Sequence, residues 1–451
     1  MENDRLIALE ALLAVARDER PCHIVLKQTL AGHPALSKQE LSFITRLVNG
    51  TIERRLTLDH LIGCFSKTPV QKLKPVILEI LRLSVYQLKY MDSVPDSAVC
   101  NEAVKLCAKK GFHGLKGYVN GVLRHMARDL DQVTFPDRKA DPLSYLSLTY
   151  SMPALIVKKL TAAYGEETTE RILASSLENR PLFIRTNISR VSPKELEKRL
   201  AGEGLSVTGA PYLPYAFSFS QTDYIADNRA FSEGLYGISD IGAMLAVALS
   251  GVSKGFSVLD VCAAPGGKTC HLADLLHGTG EVLARDISEE KTALIKDNLR
   301  RQGFPLKPAG NCTVEVHDAR VFSEELSERF DLVLADLPCS GLGVMGRKPD
   351  LKYRLTEEDL EALPKLQREI LRTVSRYVKP GGLLLYCTCT LNPDENREIA
   401  DWFLSEFPFK ASPLTDELPK ELSGAVDAQG FLQLIPGVHA SDGFFIARFR
   451  K

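Results

Sequence analysis

The sequence predicts three domains: an all-α N-terminal domain, a small α+β middle domain, and an α/β C-terminal domain on a doubly wound, mostly parallel sheet. Three observations carry this reading. Helical periodicity runs through residues 1–135 with no strand-like alternation. A short strand–helix pattern occupies 140–235. From 236 to 451, short apolar runs alternate with helical segments, the pattern of a parallel sheet covered on both faces. A chain of 451 residues exceeds one ordinary core, so several domains are expected.

The elements follow in order. Leu6, Leu9, Leu12, Leu13 and Ala16 share one helical face, as do Leu41, Ile44, Leu47, Val48 and Ile52. A third apolar run, from Val76 to Leu88, follows Pro75, a residue suited to the first turn of a helix. Val133 to Asp141, with Pro136 inside it and Pro142 after it, reads as a linker. Pro153 to Leu177 predicts an amphipathic helix, Leu182–Asn187 a strand and Pro193–Ala201 a helix. In the last region, strands are predicted at Val258–Cys262, Glu281–Ile287, Thr313–His317, Leu332–Ala335, Leu383–Cys387 and Phe444–Phe449. The helices between them include Thr269–Leu276, Glu290–Arg301 and Glu357–Val378.

Composition narrows the class. Hydrophobic residues make up 45% and charged residues 25%, which excludes collagen-like, coiled-coil and mainly disordered chains. No apolar run approaches the roughly 18 residues a membrane helix needs. Leu6–Ala16 is interrupted by Glu10 and preceded by Glu2 and Asp4, so it reads as an amphipathic helix rather than a signal peptide. A cytoplasmic, monomeric protein without membrane contact is expected. The ten cysteines include no CxxC pair and no zinc-ligand spacing, so free thiols and no metal are expected. Residues 1–140 hold 21 Lys+Arg against 15 Asp+Glu, a balance of +6, so with −1 overall the remainder carries −7. A basic N-terminal part suits a polyanionic partner, and equally a solvated basic surface.

The strongest local signal is VLDVCAAPGGKT, residues 258–269. A buried strand runs into a loop with Gly266 and Gly267 and then a helix, whose N-terminal N–H groups suit an anionic ligand. This is neither GxGxxG nor a Walker A loop, so a dinucleotide site is disfavoured. Asp286 ends the next strand, where a carboxylate can accept from ribose hydroxyls, and Asp318 ends the third. Successive acids at strand C-termini mark the edge where open α/β sheets bind ligands. The fourth strand leads into Asp336-Leu-Pro-Cys339, and the fifth into Cys387-Thr-Cys389. Cys387 reads as core. Cys339 and Cys389 lie on neighbouring strand-end loops, and a nucleophile explains that placement better than packing.

These residues resemble a known family. Val258 to Asn396, through DVCAAPGGKT, Asp286, Asp318, DLPCSGLGVMGRKPDLK and YCTCTLNPDEN, resembles the RNA cytosine-C5 methyltransferases that use S-adenosylmethionine. VPDSAVCNEAVKLCAKKGFHGLKGYVNGVLRHM is similar to NusB, an RNA-binding helical module. The fusion resembles the bacterial RsmB/Sun (Fmu) 16S rRNA methyltransferases over essentially the whole chain, most weakly between about 140 and 235. The resemblance implies a NusB-like domain, an RRM- or ferredoxin-like middle domain, and a Rossmann-like class I methyltransferase domain. Leu337 stands where the family more often has alanine, Cys387 and Thr390 where it often has serine, and Ser239-Asp240 where Gln-Asp is common.

Roles follow by the same resemblance. Cys389 is implied as nucleophile, with Cys339 assisting product release. In DNA cytosine-C5 methyltransferases the Pro-Cys of the fourth strand is the nucleophile, which makes Cys339 the rival. Asp336 would bond the cytosine N3/N4 edge and Lys268 would steady it. The cofactor would contact Cys262, Ala263, Ala264, Pro265, Gly266, Gly267 and Lys268, then Asp286, Asp318 and Asp336. A single cytosine of 16S rRNA would be the target. Arg347, Lys348 and Lys352 are expected to hold RNA phosphates, as are Lys105, Lys109, Lys110, Lys116 and Arg124 on the NusB-like domain. Three other readings are a nicotinamide-dependent oxidoreductase, a non-catalytic NusB-like RNA-binding protein, and a methyltransferase for tRNA or another rRNA cytosine.

Overall fold

The computed structural model describes residues 4–18, 20–219 and 228–451; Glu2 and residues 220–227 of the expected middle domain lie outside them. The chain forms two compact units, one running to Glu178 and including Met345–Leu355, the other Asn179–Val344 with Thr356–Lys451.

Helices Asp4–Asp18, Cys22–Ala31, Lys38–Glu53, Arg55–Phe65, Pro75–Tyr90, Asp96–Lys109 and Lys116–Asp129 build the first unit, in line with the periodicity. Two starts are set locally. Ser37 Oγ accepts from Glu40 N at 3.3 Å while Glu40 Oε2 accepts from Ser37 N at 2.8 Å. Pro75 fills a first-turn position whose N–H has no helical partner anyway. Pro75–Tyr90 buries every residue from Glu79 to Gln87, so it runs through the middle of the bundle. The charges it takes inside are paired, Arg82 with Asp59 at 2.6 Å and with Glu79.

Helices Pro142–Thr149 and Ala154–Ser175 fall in the same compact unit as this bundle. Thr57 Oγ1 donates to Leu148 O at 2.7 Å, and Leu56 N donates to Ser151 Oγ at 2.9 Å. The single helix expected over 153–177 is broken at Gly165, whose φ of +76° only glycine adopts without strain.

Met345–Leu355 joins the same unit although it follows the Cys339 loop in sequence. Cys22 N donates to Asp350 Oδ2 at 3.1 Å, and the Tyr353 hydroxyl bonds Ser151 Oγ at 2.9 Å. Lys352 is only 2% exposed and donates to Glu53 O at 2.9 Å. Burial pulls its ammonium down to about 7, against the opposing pull of Glu53. The expectation that Lys352 contacts RNA phosphate is therefore corrected: its charge is spent inside the protein.

The second unit holds two sheets. Strands β1 (Leu182–Thr186), β2 (Val207–Gly209), β3 (Ala216–Phe219) and β4 (Tyr236–Ile238) form an antiparallel sheet in the order β2-β3-β1-β4. Helix Pro193–Gly202 lays Leu196 and Leu200 against Ile184, Phe217 and Tyr236. The larger sheet contains β5 (Ser257–Asp260), β6 (Glu281–Asp286), β7 (Cys312–Val316), β8 (Phe330–Asp336), β9 (Val378–Thr388), β10 (Lys410–Ala411), β11 (Leu432–Leu434) and β12 (Phe444–Arg450). Its order is β10-β12-β9-β8-β5-β6-β7, with β11 beside β12. The five strands from β9 to β7 are parallel, and β12 is antiparallel to β9. Val258, Leu332, Leu334 and Leu385 face one core layer, while Leu259, Val333 and Leu384 face the other. Burial on both faces is why these strands read as continuous apolar runs. The helix expected to reach Val378 ends at Val374, and β9 begins at Val378.

A buried pair joins the two sheets. Arg185 on β1 and Asp274 on helix Gly267–Leu276 form an ion pair with side chains 3% and 0% exposed. Asp274 also accepts from Ile188 N at 3.1 Å and Ser189 N at 2.8 Å, and Arg185 donates to Gln302 Oε1 at 3.0 Å.

Candidate active site

β5 carries the chain to Asp260, whose buried carboxyl accepts from Thr269 Oγ1 at 2.7 Å and is pushed up to about 7 by burial. That bond ties the strand end to the first turn of helix Gly267–Leu276. The chain turns between them at Gly266, φ +102°, where a Cβ would lie 3.1 Å from Ile295 Cα. Ala264 N donates to Asp286 Oδ2 at 2.9 Å, Ile287 N to Oδ1 at 2.8 Å, and Lys291 Nζ stands 3.1 Å from Oδ1. Asp286 therefore shapes the loop as well as facing the cavity. At the end of the next strand Asp318 bonds Arg320 at 2.7 Å, which lowers its pKa.

These strand ends enclose a cavity of about 440 Å³, a size typical of small-ligand sites. Of the expected cofactor residues, Cys262, Ala264, Asp286, Asp318 and Asp336 line it, and both Cys339 and Cys389 reach it. Ala263, Gly266 and Lys268 do not line it. Pro265 and Gly267 face a second cavity of about 320 Å³, beside Arg185, Asn298 and Arg301. Ile287, Lys291, Leu366 and Ile370 line the first cavity without having been singled out in the sequence. Ile287 and Lys291 carried a signal, adjacency to Asp286. Leu366 and Ile370 had only helical spacing, which core residues share.

At the far end of the cavity, Lys268 bonds Asp336 Oδ2 and the Cys387 thiol donates to Oδ1 at 3.6 Å. Burial alone would lower the pKa of Lys268, but the Asp336 carboxylate more than offsets it and the ammonium is held charged. Cys387 is fully buried, as its core reading expects, and also touches the Asp336 carboxylate. Cys339 Sγ and Cys389 Sγ are 3.3 Å apart. The bond to Cys389, followed by burial, pushes the Cys339 thiol well above the usual range. One cavity thus meets two sulfurs and the Asp336 carboxylate, which Lys268 pairs from behind the lining.

The expected RNA contacts divide by environment. Lys105, Lys109, Arg124 and Lys348 are exposed, while Arg347 and Lys116 are half-buried. Lys105 pairs with Glu102 at 2.7 Å and Lys110 with Glu10 at 2.9 Å.

An open parallel sheet, a glycine-turned loop opening its first helix and strand-end acids converging on a nucleoside-sized cavity define an S-adenosylmethionine-dependent methyltransferase domain. Residues 246–450 match the profile of the 16S rRNA methyltransferase RsmB/F family, 2–128 that of the NusB family, and 152–224 that of the RsmF/B-like ferredoxin-like domain. The chain is 36% identical to the probable ribosomal RNA small subunit methyltransferase B of Bacillus subtilis, over 99% of this chain and 98% of that protein. It is 33% identical to ribosomal RNA small subunit methyltransferase B of Shewanella oneidensis, over 97% and 95% of the two chains. The crystal structure of PH0851 matches with TM-score 0.82 at 25% identity, over 100% of this chain and 99% of that one. A methyltransferase homologue from Pyrococcus horikoshii matches with TM-score 0.58 at 28% identity, over 69% and 99%. The chain belongs to the RsmB family of S-adenosylmethionine-dependent methyltransferases, with NusB-like and ferredoxin-like domains ahead of the catalytic one.

Proposed function

We propose that this chain methylates C5 of one cytosine in small-subunit ribosomal RNA through a covalent bond between Cys389 and C6. The observation that carries this reading is the pair of sulfurs 3.3 Å apart on the cavity that Asp336 also lines. The names of its relatives support an rRNA substrate.

Cytosine C5 is a poor nucleophile. Addition of the Cys389 thiolate to C6 shifts the C5–C6 electron pair toward C5 and splits one hard step into two. Asp336, held in place by Lys268, accepts from the exocyclic amine, a donor that uracil lacks. After C5 is methylated a solvent water takes its proton, the freed C–H pair re-forms the C5–C6 double bond, and the C6–S pair leaves on Cys389 as the thiolate, with Cys339 assisting the release. When bound, S-adenosylmethionine supplies an electrophilic methyl group. Asp286 and Asp318 suit its hydroxyl and amino donors, and Ile287, Leu366 and Ile370 supply apolar surface for a base. Reaching both Cys389 and the methyl requires the target cytosine to leave any base stack. Lys105, Lys109, Arg124 and Lys348 are assigned to RNA phosphates, so affinity falls as salt rises.

The test is methyl transfer from radiolabelled S-adenosylmethionine to deproteinised small-subunit rRNA and to tRNA, with nucleosides identified after digestion. Label in 5-methylcytosine at one rRNA position is expected. Label in tRNA alone, or in another nucleoside, overturns the substrate; RNA binding without label overturns catalysis. Asp286→Ala removes the acceptor of Ala264 N, Ile287 N and Lys291. It should weaken S-adenosylhomocysteine binding about tenfold or more by calorimetry, the scale of one charge-assisted hydrogen bond.

A further inference from the structure

We propose that Glu395 is a positioning residue: it clamps the Cys339 and Cys389 loops together so that the two sulfurs meet. This rests on the two-thiol reading above. Glu395 is fully buried. Its Oε2 accepts from Ser340 N at 2.8 Å and Gln367 Nε2 at 3.1 Å, and its Oε1 accepts from Asn392 Nδ2 at 2.9 Å and from the Ser340 hydroxyl. Gln367 Nε2 also donates to Pro338 O at 2.9 Å, so both neighbours of Cys339 are tied to the same carboxylate. The neighbours of Cys389 join the same network: Ser340 Oγ bonds Thr390 Oγ1 at 2.6 Å, and Thr388 Oγ1 bonds Asn396, whose Nδ2 donates to Thr390 O at 3.0 Å.

Burying a carboxylate is costly unless its lone pairs are satisfied. Here four donors satisfy it, and three of them come from outside its own turn, on the Cys339 loop and on helix Glu357–Val374. What the network secures is the relative placement of two loops from different strands. Glu395 itself does not line the cavity, so it acts through the thiol loops and not on substrate.

The donor set makes the proposal testable by polarity. Glu395→Gln keeps the shape but turns one oxygen into an NH2 that faces donors. The full chain should fold, bind S-adenosylhomocysteine as wild type does, keep its KM values and lose about 10²-fold in kcat, the cost of roughly 1 Å of misplacement. Without RNA or cofactor, dibromobimane, which fluoresces when both of its ends are alkylated, should bridge the two thiols several-fold more slowly than in wild type. Adding Asn392→Asp gives the new NH2 an acceptor, and Ser340 can turn its hydroxyl toward Thr390, so both readouts should recover. If Glu395→Gln does not fold, the double variant carries the test. Bridging and kcat at wild-type levels in Glu395→Gln overturn the clamp. So does a folded double variant that still bridges slowly. Bridging as expected in an enzyme that makes no 5-methylcytosine would sink the proposed function and leave the clamp standing.

Discussion

Cys389→Ala is expected to abolish methyl transfer, while Cys339→Ala stops after one turnover with RNA covalently attached. On the proposed mechanism the first variant removes the sulfur that activates C5. A loss of at least about 10⁴-fold is expected, beyond the 10²–10⁴ range of a positioned acid or base. On the same mechanism the second variant leaves the attacking sulfur in place but removes the group that helps expel it. A denaturing gel with radiolabelled RNA reads both outcomes: a protein–RNA band for Cys339→Ala, dependent on S-adenosylmethionine, and none for Cys389→Ala. The two sulfurs stand 3.3 Å apart on one cavity, so exchanging a single thiol at a time separates the two roles. A protein–RNA band from Cys389→Ala, with Cys339→Ala inert, would exchange the two roles.

The second large effect concerns stability. Asp274→Ala leaves the Arg185 guanidinium buried without its counter-charge and strips acceptors from Ile188 N and Ser189 N. Breaking such a pair from one side costs about 3–5 kcal/mol, a large part of ordinary stability. Denaturation followed by near-ultraviolet circular dichroism should show the second unit unfolding early. Replacing both partners, Asp274→Leu with Arg185→Met, should recover most of the loss, because the penalty is the orphaned charge rather than the missing pair. Glu167→Ala is the control. Its pair with Arg171 has side chains 83% and 57% exposed, and such surface pairs are worth about 0–1 kcal/mol.

The two effects differ in how far they could be read in advance. Cys339 and Cys389 stand directly after apolar strand runs, so their place at one edge of the sheet follows from local pattern. Asp274 looks like an ordinary helix residue until β1 is packed against it, and its partner lies 89 positions away. Lys352 sits in a basic loop, RKPDLK, that reads as solvated, yet it is buried beside Glu53. Glu395 has no mark in the sequence beyond its place in the motif YCTCTLNPDEN. Each of these polar residues is in place because distant donors or charges meet it there.

By itself, the sequence determined the helical first unit, the parallel centre of the larger sheet, and the ring of Asp286, Asp318, Asp336, Cys339 and Cys389 at its strand ends. Those features follow from the period of apolar residues, from glycine turns and from motifs confined to a few adjacent positions. Only the tertiary structure decided that residues 142–175 fall in the same compact unit as the bundle, that Lys352 is interior, that Asp286 holds the Ala264 amide, and that Glu395 bridges the two thiol loops. Periodicity reports that a face is buried, not what it is buried against. The fate of a buried charge is set by its partner, and that partner is brought to it only when the chain folds.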